Sequence, residues 1–219
     1  MPRQPEPEYM DEPLAAEAYA LSDFSEVNQA FVDTLFELVG PLGEARAIDL
    51  GTGPGDIPLR IVRARPKWRV VAVEASRPML ELAKKAAREA GLSASIHWFQ
   101  ADAKDTGLPA HSFDVVFSNS ILHHITETEE FWEEVKRLGK RGAFVLHRDL
   151  VRPPTREAAQ EIVETYGSVG PELMQRDYYN SLLASYTIDE VRKQLDKAGL
   201  IALDVHMVTD RHWDVTGRV

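Results

Sequence analysis

The chain has 219 residues, 44% apolar and 27% charged, enough for one α/β domain with a full core but not for two large ones. Its formal net charge of −10 disfavours nucleic acid as a partner, because phosphate backbones are normally gripped by a basic face. The absence of cysteine excludes disulfides, thiolate metal sites and cysteine nucleophiles. No apolar run is long enough for a membrane span, and Met1–Glu8 lacks the apolar core of a secretory leader, so a cytoplasmic location is expected.

Residues 1–13 are rich in proline and acid and show no periodicity, so a flexible tail is expected there, with 14–219 as a single domain. Ser25–Val39 carries Val27, Phe31, Thr34, Leu35 and Leu38 on one helical face; Ser25 is placed to cap it and Gly40-Pro41 to stop it. Strands and helices then alternate. Arg46–Leu50 is a strand, about 55–65 a helix, Arg69–Glu74 a strand, and Ser76 caps a helix that ends at Gly91. The basic run from Arg60 to Arg69 lies between helix and strand, away from the expected site, and reads as solvated surface. Ser95–Phe99 and Phe113–Ser118 are the third and fourth strands. Thr126-Glu-Thr-Glu129 has capping-box spacing and opens a helix to about Leu138, before a fifth strand at Gly142–Arg148. Short apolar strands separated by helices predict a parallel sheet covered on both faces.

The alternation breaks over 149–186, where Thr155–Tyr166 and Pro171–Ser185 are helix-like; a helical lid inserted over one end of the sheet is expected. Thr187-Ile-Asp-Glu190 opens one more helix, to Lys197. Leu200–Val208 and Trp213–Val219 are strands joined closely enough for a hairpin, which makes the last strand antiparallel to its neighbour.

The residues with chemistry gather at strand ends. The segment Asp49-Leu50-Gly51-Thr52-Gly53-Pro54-Gly55 leaves a strand and enters a helix, where glycines permit a sharp turn and close approach to a ligand. A dinucleotide loop places its third glycine where Asp56 stands here, and an acid there repels a pyrophosphate. The spacing and Asp56 thus count against a nicotinamide dehydrogenase. Asp49 and Asp56 together favour a cationic ligand bearing an ammonium and a sulfonium. Glu74 closes the second strand, where a carboxylate accepts from ribose hydroxyls. Asp102, after the third strand, is placed to accept from an adenine amino group, with the next backbone N–H, that of Ala103, donating to the ring. Asn119 follows the fourth strand.

With these motifs the chain resembles the class I methyltransferases that use S-adenosylmethionine (SAM). The likeness runs over about 45–148, and more loosely to the end. Ala47–Gly55 matches the family's first motif, Val73-Glu74 its ribose acid, Ala101-Asp102-Ala103 its adenine segment and Phe113–Asn119 the strand before the catalytic edge. The resemblance implies a three-layer, Rossmann-like α/β sandwich with a seven-stranded, mostly parallel sheet whose last strand is antiparallel. It implies SAM as cofactor and S-adenosylhomocysteine as product, with Asp49, Gly51 and Gly53 at the methionine part, Glu74 at the ribose, and Asp102, Ala103 and Asn119 completing the cofactor site. It does not name the acceptor.

A small-molecule acceptor is expected, because 149–186 has the length of a lid and the charge opposes nucleic acid. An RNA or protein acceptor, or a non-catalytic SAM-binding regulator, are the alternatives. His124 and His147 are the candidate bases for an acceptor that must lose a proton. His123, Asp149, Arg152, Tyr178, Arg211 and His212 are the candidate acceptor contacts. No ligand spacing favours a metal, so none is expected, and a monomer or homodimer suffices.

Overall fold

A computed structural model describes residues 1–7, 16–17, 19–20, 22–167 and 172–219. Seven strands form one sheet in the order β3-β2-β1-β4-β5-β7-β6. They are β1 Arg46–Leu50, β2 Arg69–Glu74, β3 Ile96–Gln100, β4 Phe113–Asn119, β5 Gly139–Leu150, β6 Leu203–Met207 and β7 His212–Arg218. The first five are mutually parallel. β7 slots between β5 and β6 and runs antiparallel to both, so β6 regains the common direction. The β6–β7 hairpin therefore lies at the same sheet edge as the ends of β1 to β5. Among the described residues, the helices that flank the sheet and follow it are α1 Ser25–Val39, α2 Asp56–Ala64, α3 Arg77–Glu89, α4 Thr128–Leu138, α5 Arg156–Tyr166, α6 Glu172–Ala184 and α7 Ile188–Lys197. None of the described helices is long and apolar enough to cross a membrane.

Strand alternation sorts side chains onto two faces. Ala47, Val115, Phe117 and Leu146 point into a core with Phe31 and Leu35 of α1 and Ile61 of α2. Ile48, Val116, Val145 and Val215 point the other way, against Phe131 and Trp132 of α4 and Val191 and Leu195 of α7. Both faces are covered, as near-continuous apolar strands require. Order reverses between β1 and β4, which opens the crevice where open α/β sheets bind ligands.

Two local expectations are corrected. Ser25 is the first helical residue rather than the cap of α1; its N–H donates to Asp23 Oδ1 at 3.0 Å instead. The box at Thr126–Glu129 does not form. Glu127 is the N-cap of α4 without a side-chain bond, and the Thr126 hydroxyl donates to Glu127 Oε2 at 2.6 Å. Thr187 and Glu190, in contrast, form the complete reciprocal box on α7. Residues 8–13 and Pro171 lie outside the described residues, but residues 1–7 run along the lid and back to the sheet edge. The Gln4 N–H donates to Leu183 O at 3.0 Å, Arg3 Nη2 to His123 O at 2.7 Å, and the Arg3 guanidinium stacks 4.2 Å from the Tyr186 ring centroid. Composition signals disorder only for a chain with nothing to pair with; one arginine satisfying several buried carbonyls is enough to hold this one.

Candidate active site

The glycine loop has the backbone its sequence demands. Gly51, Gly53 and Gly55 have φ of 76°, 56° and 84°, a left-handed region costly for other residues. Their surroundings differ. A Cβ on Gly51 would lie 2.3 Å from Ile121 Cδ1, so this glycine lets the loop pack on the segment after β4. A Cβ on Gly53 would meet nothing within 4 Å, so the loop is open there. The Thr52 hydroxyl is buried and has no hydrogen-bond partner among the described residues. Asp49 is buried beside it, and burial, reinforced by the charge of Glu74, pushes its pKa up to about 7. Thr52 beside Asp49 offsets only part of that shift, so an open cradle next to a buried, protonation-prone acid suits a ligand that brings a cation.

Glu74 receives the Gly53 N–H on Oε2 and the Ser76 N–H on Oε1, both at 2.8 Å. This carboxylate thereby clamps the glycine loop to the end of β2. Asp102 is partly exposed, with Oδ1 accepting from the Lys104 N–H at 2.8 Å, while Ala103 is buried beside it. Asn119 closes β4 opposite Arg148. Ser120, next in the chain, has φ of 57°, a strained value that turns the backbone away at the sheet edge. The cofactor candidates thus share one edge, around the β1 end. Asp56 has a different occupation from the one its position suggests: its Oδ2 accepts from Arg60 Nε at 2.7 Å and Asn28 Nδ2 at 2.9 Å.

At the ends of β4 and β5 the structure separates the histidines. On β5, Val145, His147 and Asp149 share one face. His147 is one pleat too deep for the edge. It is fully buried, its ring edge-on to Phe131 and Trp132 at 5.4 and 5.2 Å, with Nδ1 2.7 Å from Ser118 Oγ and Nε2 unpaired. Burial pushes its pKa down to about 3. The expected catalytic base is therefore a core residue. His124 is also a poor base, held down to about 3 by burial and by its neighbour His123.

His123, expected only to touch an acceptor, is the imidazole that the structure prepares. The short 3-10 turn Leu122–His124 points it at Asp149, the next outward residue on the β5 face. His123 Nδ1 lies 2.5 Å from Asp149 Oδ1, and the His123 N–H donates to Oδ2 at 3.1 Å. Burial acts against charge on both groups, but their mutual attraction outweighs it: Asp149 is held below the usual carboxylate range and His123 above the usual imidazole value. A proton held between Nδ1 and Asp149 leaves Nε2 as the reactive nitrogen. Nε2 faces Glu6 of the N-terminal segment at 3.5 Å.

The remaining candidates have structural partners. Arg152 is buried, donating to Met1 O, Ser185 O and Glu190 Oε1 at 3.1, 2.9 and 2.6 Å, so it ties lid, tail and α7 rather than presenting itself to an acceptor. Arg211, with Tyr178 and Tyr166, joins the β6–β7 hairpin to α5 and α6, whereas His212 bonds within the hairpin. Arg211 lies 3.3 Å over the Tyr166 ring and pairs with Asp210, and His212 Nδ1 meets Thr209 Oγ1 at 2.9 Å. Burial pushes Tyr178 up to about 12, and burial with the nearby arginines brings His212 down to about 4.

Two groups at the site carry no motif. Glu6 is one. Tyr19 is the other; burial first, then the charges of Glu74 and Asp149, push its phenol up to about 12. Neither stands at a strand end, and only their isolated polar or aromatic character within 1–24 marks them in the sequence.

Residues 48–147 match the family model described as a methyltransferase domain. An uncharacterized methyltransferase of Mycobacterium tuberculosis is 36% identical over 124 residues, which are 57% of this chain and 60% of that protein. A ubiquinone/menaquinone biosynthesis C-methyltransferase of Desulfotalea psychrophila is 31% identical over 137 residues, 63% of this chain and 54% of the relative. The chain thus spans a little over half the length of the curated relatives it matches. A SAM-dependent methyltransferase of Aquifex aeolicus has the same fold, with a TM-score of 0.69 at 21% identity over 95% of this chain and 98% of the other.

Proposed function

We propose that this chain, whose residues 48–147 match the methyltransferase-domain model, is a class I, SAM-dependent methyltransferase that methylates a small molecule. SAM supplies an electrophilic methyl on a sulfonium; everything else is positioning by this chain. Asp49 holds the ammonium of the methionine part, the open backbone at Gly53 approaches it, and Glu74, Asp102, Ala103 and Asn119 take the ribose and adenine. An acceptor bound between His123 and the glycine loop attacks in line, and holding the two reactants close and aligned is the main contribution to rate. An acceptor that must lose a proton gives it to His123 Nε2, with Asp149 steadying the charge that results.

The observation that favours a small acceptor is closure. The N-terminal segment crosses the acceptor edge and is bonded to the lid at Ala184 and Leu183 and to the turn at His123 and Ile125. Those bonds across the edge disfavour a duplex or folded protein as acceptor, and the net charge of −10 works in the same direction.

Labelled SAM, supplied with a cell extract divided into small-molecule and macromolecular fractions, tests the reading. Label transferred to the small-molecule fraction supports it. Label found only in protein or RNA overturns the acceptor class. Tight SAM binding without transfer to either fraction makes the chain a SAM-binding regulator.

A further inference from the structure

The group around Glu6 is spaced in a way that hydrogen bonding does not account for. Glu6 Oε1 lies 3.5 Å from His123 Nε2 and 3.3 Å from His124 Nδ1. Charge-assisted hydrogen bonds between such atoms close to about 2.7–2.9 Å. Donors around a tetrahedral ion with bonds of about 2.0–2.1 Å stand about 3.3–3.4 Å apart. One ligand atom from each of the three residues falls within 4.8 Å of the others. We propose that Glu6, His123 and His124 form a site for one divalent transition-metal ion, which clasps the N-terminal segment onto the acceptor edge.

Three features of the surroundings support a built site. Asp149 receives His123 Nδ1–H, which orients the ring so that Nε2 faces Glu6 and an arriving ion displaces the Nε2 proton; a carboxylate behind a ligating histidine is the usual outer support of such sites. Ser181 Oγ donates to Glu6 Oε1 at 3.0 Å, which orients the carboxylate while its second oxygen and remaining lone pairs stay available. The backbone that delivers Glu6 is held by Gln4 and Arg3, so the carboxylate is presented rather than free to wander. The other polar contact is the Pro7 carbonyl, 3.2 Å from His124 Nδ1. It accepts that nitrogen's proton in the metal-free protein; ligation at Nδ1 moves the proton to Nε2 and leaves the carbonyl as an extra oxygen at the site.

Two imidazoles and one carboxylate select Zn2+, Co2+ or Ni2+ over Mg2+ or Ca2+, which prefer all-oxygen sites. Three protein donors leave a position for water or for an acceptor oxygen or nitrogen. In the ion-loaded protein His123 Nε2 is occupied, and the ion takes over the acid–base work by lowering the pKa of whatever oxygen it binds. That last consequence rests on the methyltransferase reading; the site itself does not.

The test titrates chelator-stripped full-length protein with Co2+, followed by its visible absorption, and with Zn2+ by calorimetry. Expected are one ion per chain, a four-coordinate Co2+ spectrum, and displacement of Co2+ by Zn2+. Glu6→Gln weakens binding by about tenfold or more, His123→Gln and His124→Gln by about 100-fold, and Asp149→Asn by about 10–100-fold, as an outer-shell loss does. Hydrogen exchange at the Gln4 amide slows on adding Zn2+ to the wild type and not to Glu6→Gln. Glu6→Gln carries the test if a histidine variant does not fold, since Glu6 lies outside both sheet cores. Absence of saturable binding, or equal affinity in the wild type and Glu6→Gln, overturns the site. S-adenosylhomocysteine affinity, measured on the same samples, separates the two readings. Cofactor binding without ion binding removes the metal site alone, and ion binding without cofactor binding removes the methyltransferase reading alone.

Discussion

The two halves of the sheet edge are built in different ways. On the β1–β3 side each candidate is placed by its own strand end: Asp49 and the glycines by β1, Glu74 by β2, Asp102 and Ala103 by β3. The clamp from Glu74 to Gly53 spans 21 residues. On the β4–β5 side nothing is complete locally. His123 needs Asp149, 26 residues away, and the turn that carries His123 is held by Arg3, 120 residues away. Glu6 is anchored by Ser181, at a separation of 175. A half made of consecutive strand–loop units can be read and altered one unit at a time. A half made of distant segments answers to the whole fold.

The largest effect that probes this contrast is expected at Asp49. Asp49→Asn removes a buried charge facing the ligand ammonium and lowers S-adenosylhomocysteine affinity by about 10–100-fold, as for a lost charge-assisted bond, with the fold retained. Calorimetry checks it. The raised pKa gives a further signature. In the free protein Asp49 is protonated below about 7, so wild-type affinity climbs by about tenfold per pH unit up to that value and then levels off, whereas Asp49→Asn shows no such rise. The same shift has the opposite sign for stability without ligand. The folded state holds this proton more tightly than the unfolded chain, so its contribution falls as pH rises from about 4 to about 7.

The glycines separate packing from binding inside the same loop. Gly51→Ala meets Ile121 as well as backbone strain and is expected to cost about 1–3 kcal/mol of stability together with cofactor affinity. Gly53→Ala has room for its methyl and weakens affinity more than stability. Equal losses of stability in the two variants would break the distinction. On the other half, Arg152→Ala removes bonds to three segments and is expected to cost about 1–3 kcal/mol in urea unfolding while cofactor affinity stays within about twofold.

The smallest effect is expected at His147. The paired change Ser118→Ala and His147→Leu removes both partners of a buried bond and an unpaired nitrogen together, and should be close to neutral in stability at pH 7. It also removes an acid-sensitive group. A histidine held near 3 when folded must gain a proton on unfolding below about 6.5, so its contribution is full above that value and is lost as pH falls towards 3. The double variant should therefore lose less stability between pH 6.5 and 4 than the wild type does. Measured activity that vanishes in it, with cofactor binding intact, would restore His147 as a catalytic candidate.

These contrasts also explain what could be read without coordinates. The glycine loop, Glu74 and Asp102 were legible because a strand end has a known position once the alternation of elements is recognised. The full capping box at Thr187 was legible for the same reason, since its partners are three residues apart. The box at Thr126 had the same spacing and failed, because the turn before α4 places Thr126 outside the capping position. His147 was misplaced by a single pleat. In a strand of period two, His147 and Asp149 share a face, and only the packing of Phe131 and Trp132 decides which of them lies under the core and which reaches the edge. Arg152 was misplaced because a charge after a strand has the same signature whether it waits for a ligand or satisfies carbonyls from elsewhere in the chain.

By itself, then, the sequence determined the sheet, its antiparallel final strand and the gathering of the glycine loop, Glu74 and Asp102 at one sheet edge. Apolar periodicity and glycine geometry act over a few residues and leave their mark in local order. Only the tertiary structure decided that His123 rather than His124 or His147 meets Asp149, and that a proline-rich beginning brings Glu6 to both His123 and His124. Those outcomes depend on which distant groups can satisfy buried polar atoms, a condition set by three-dimensional closure and written in no short stretch of the chain.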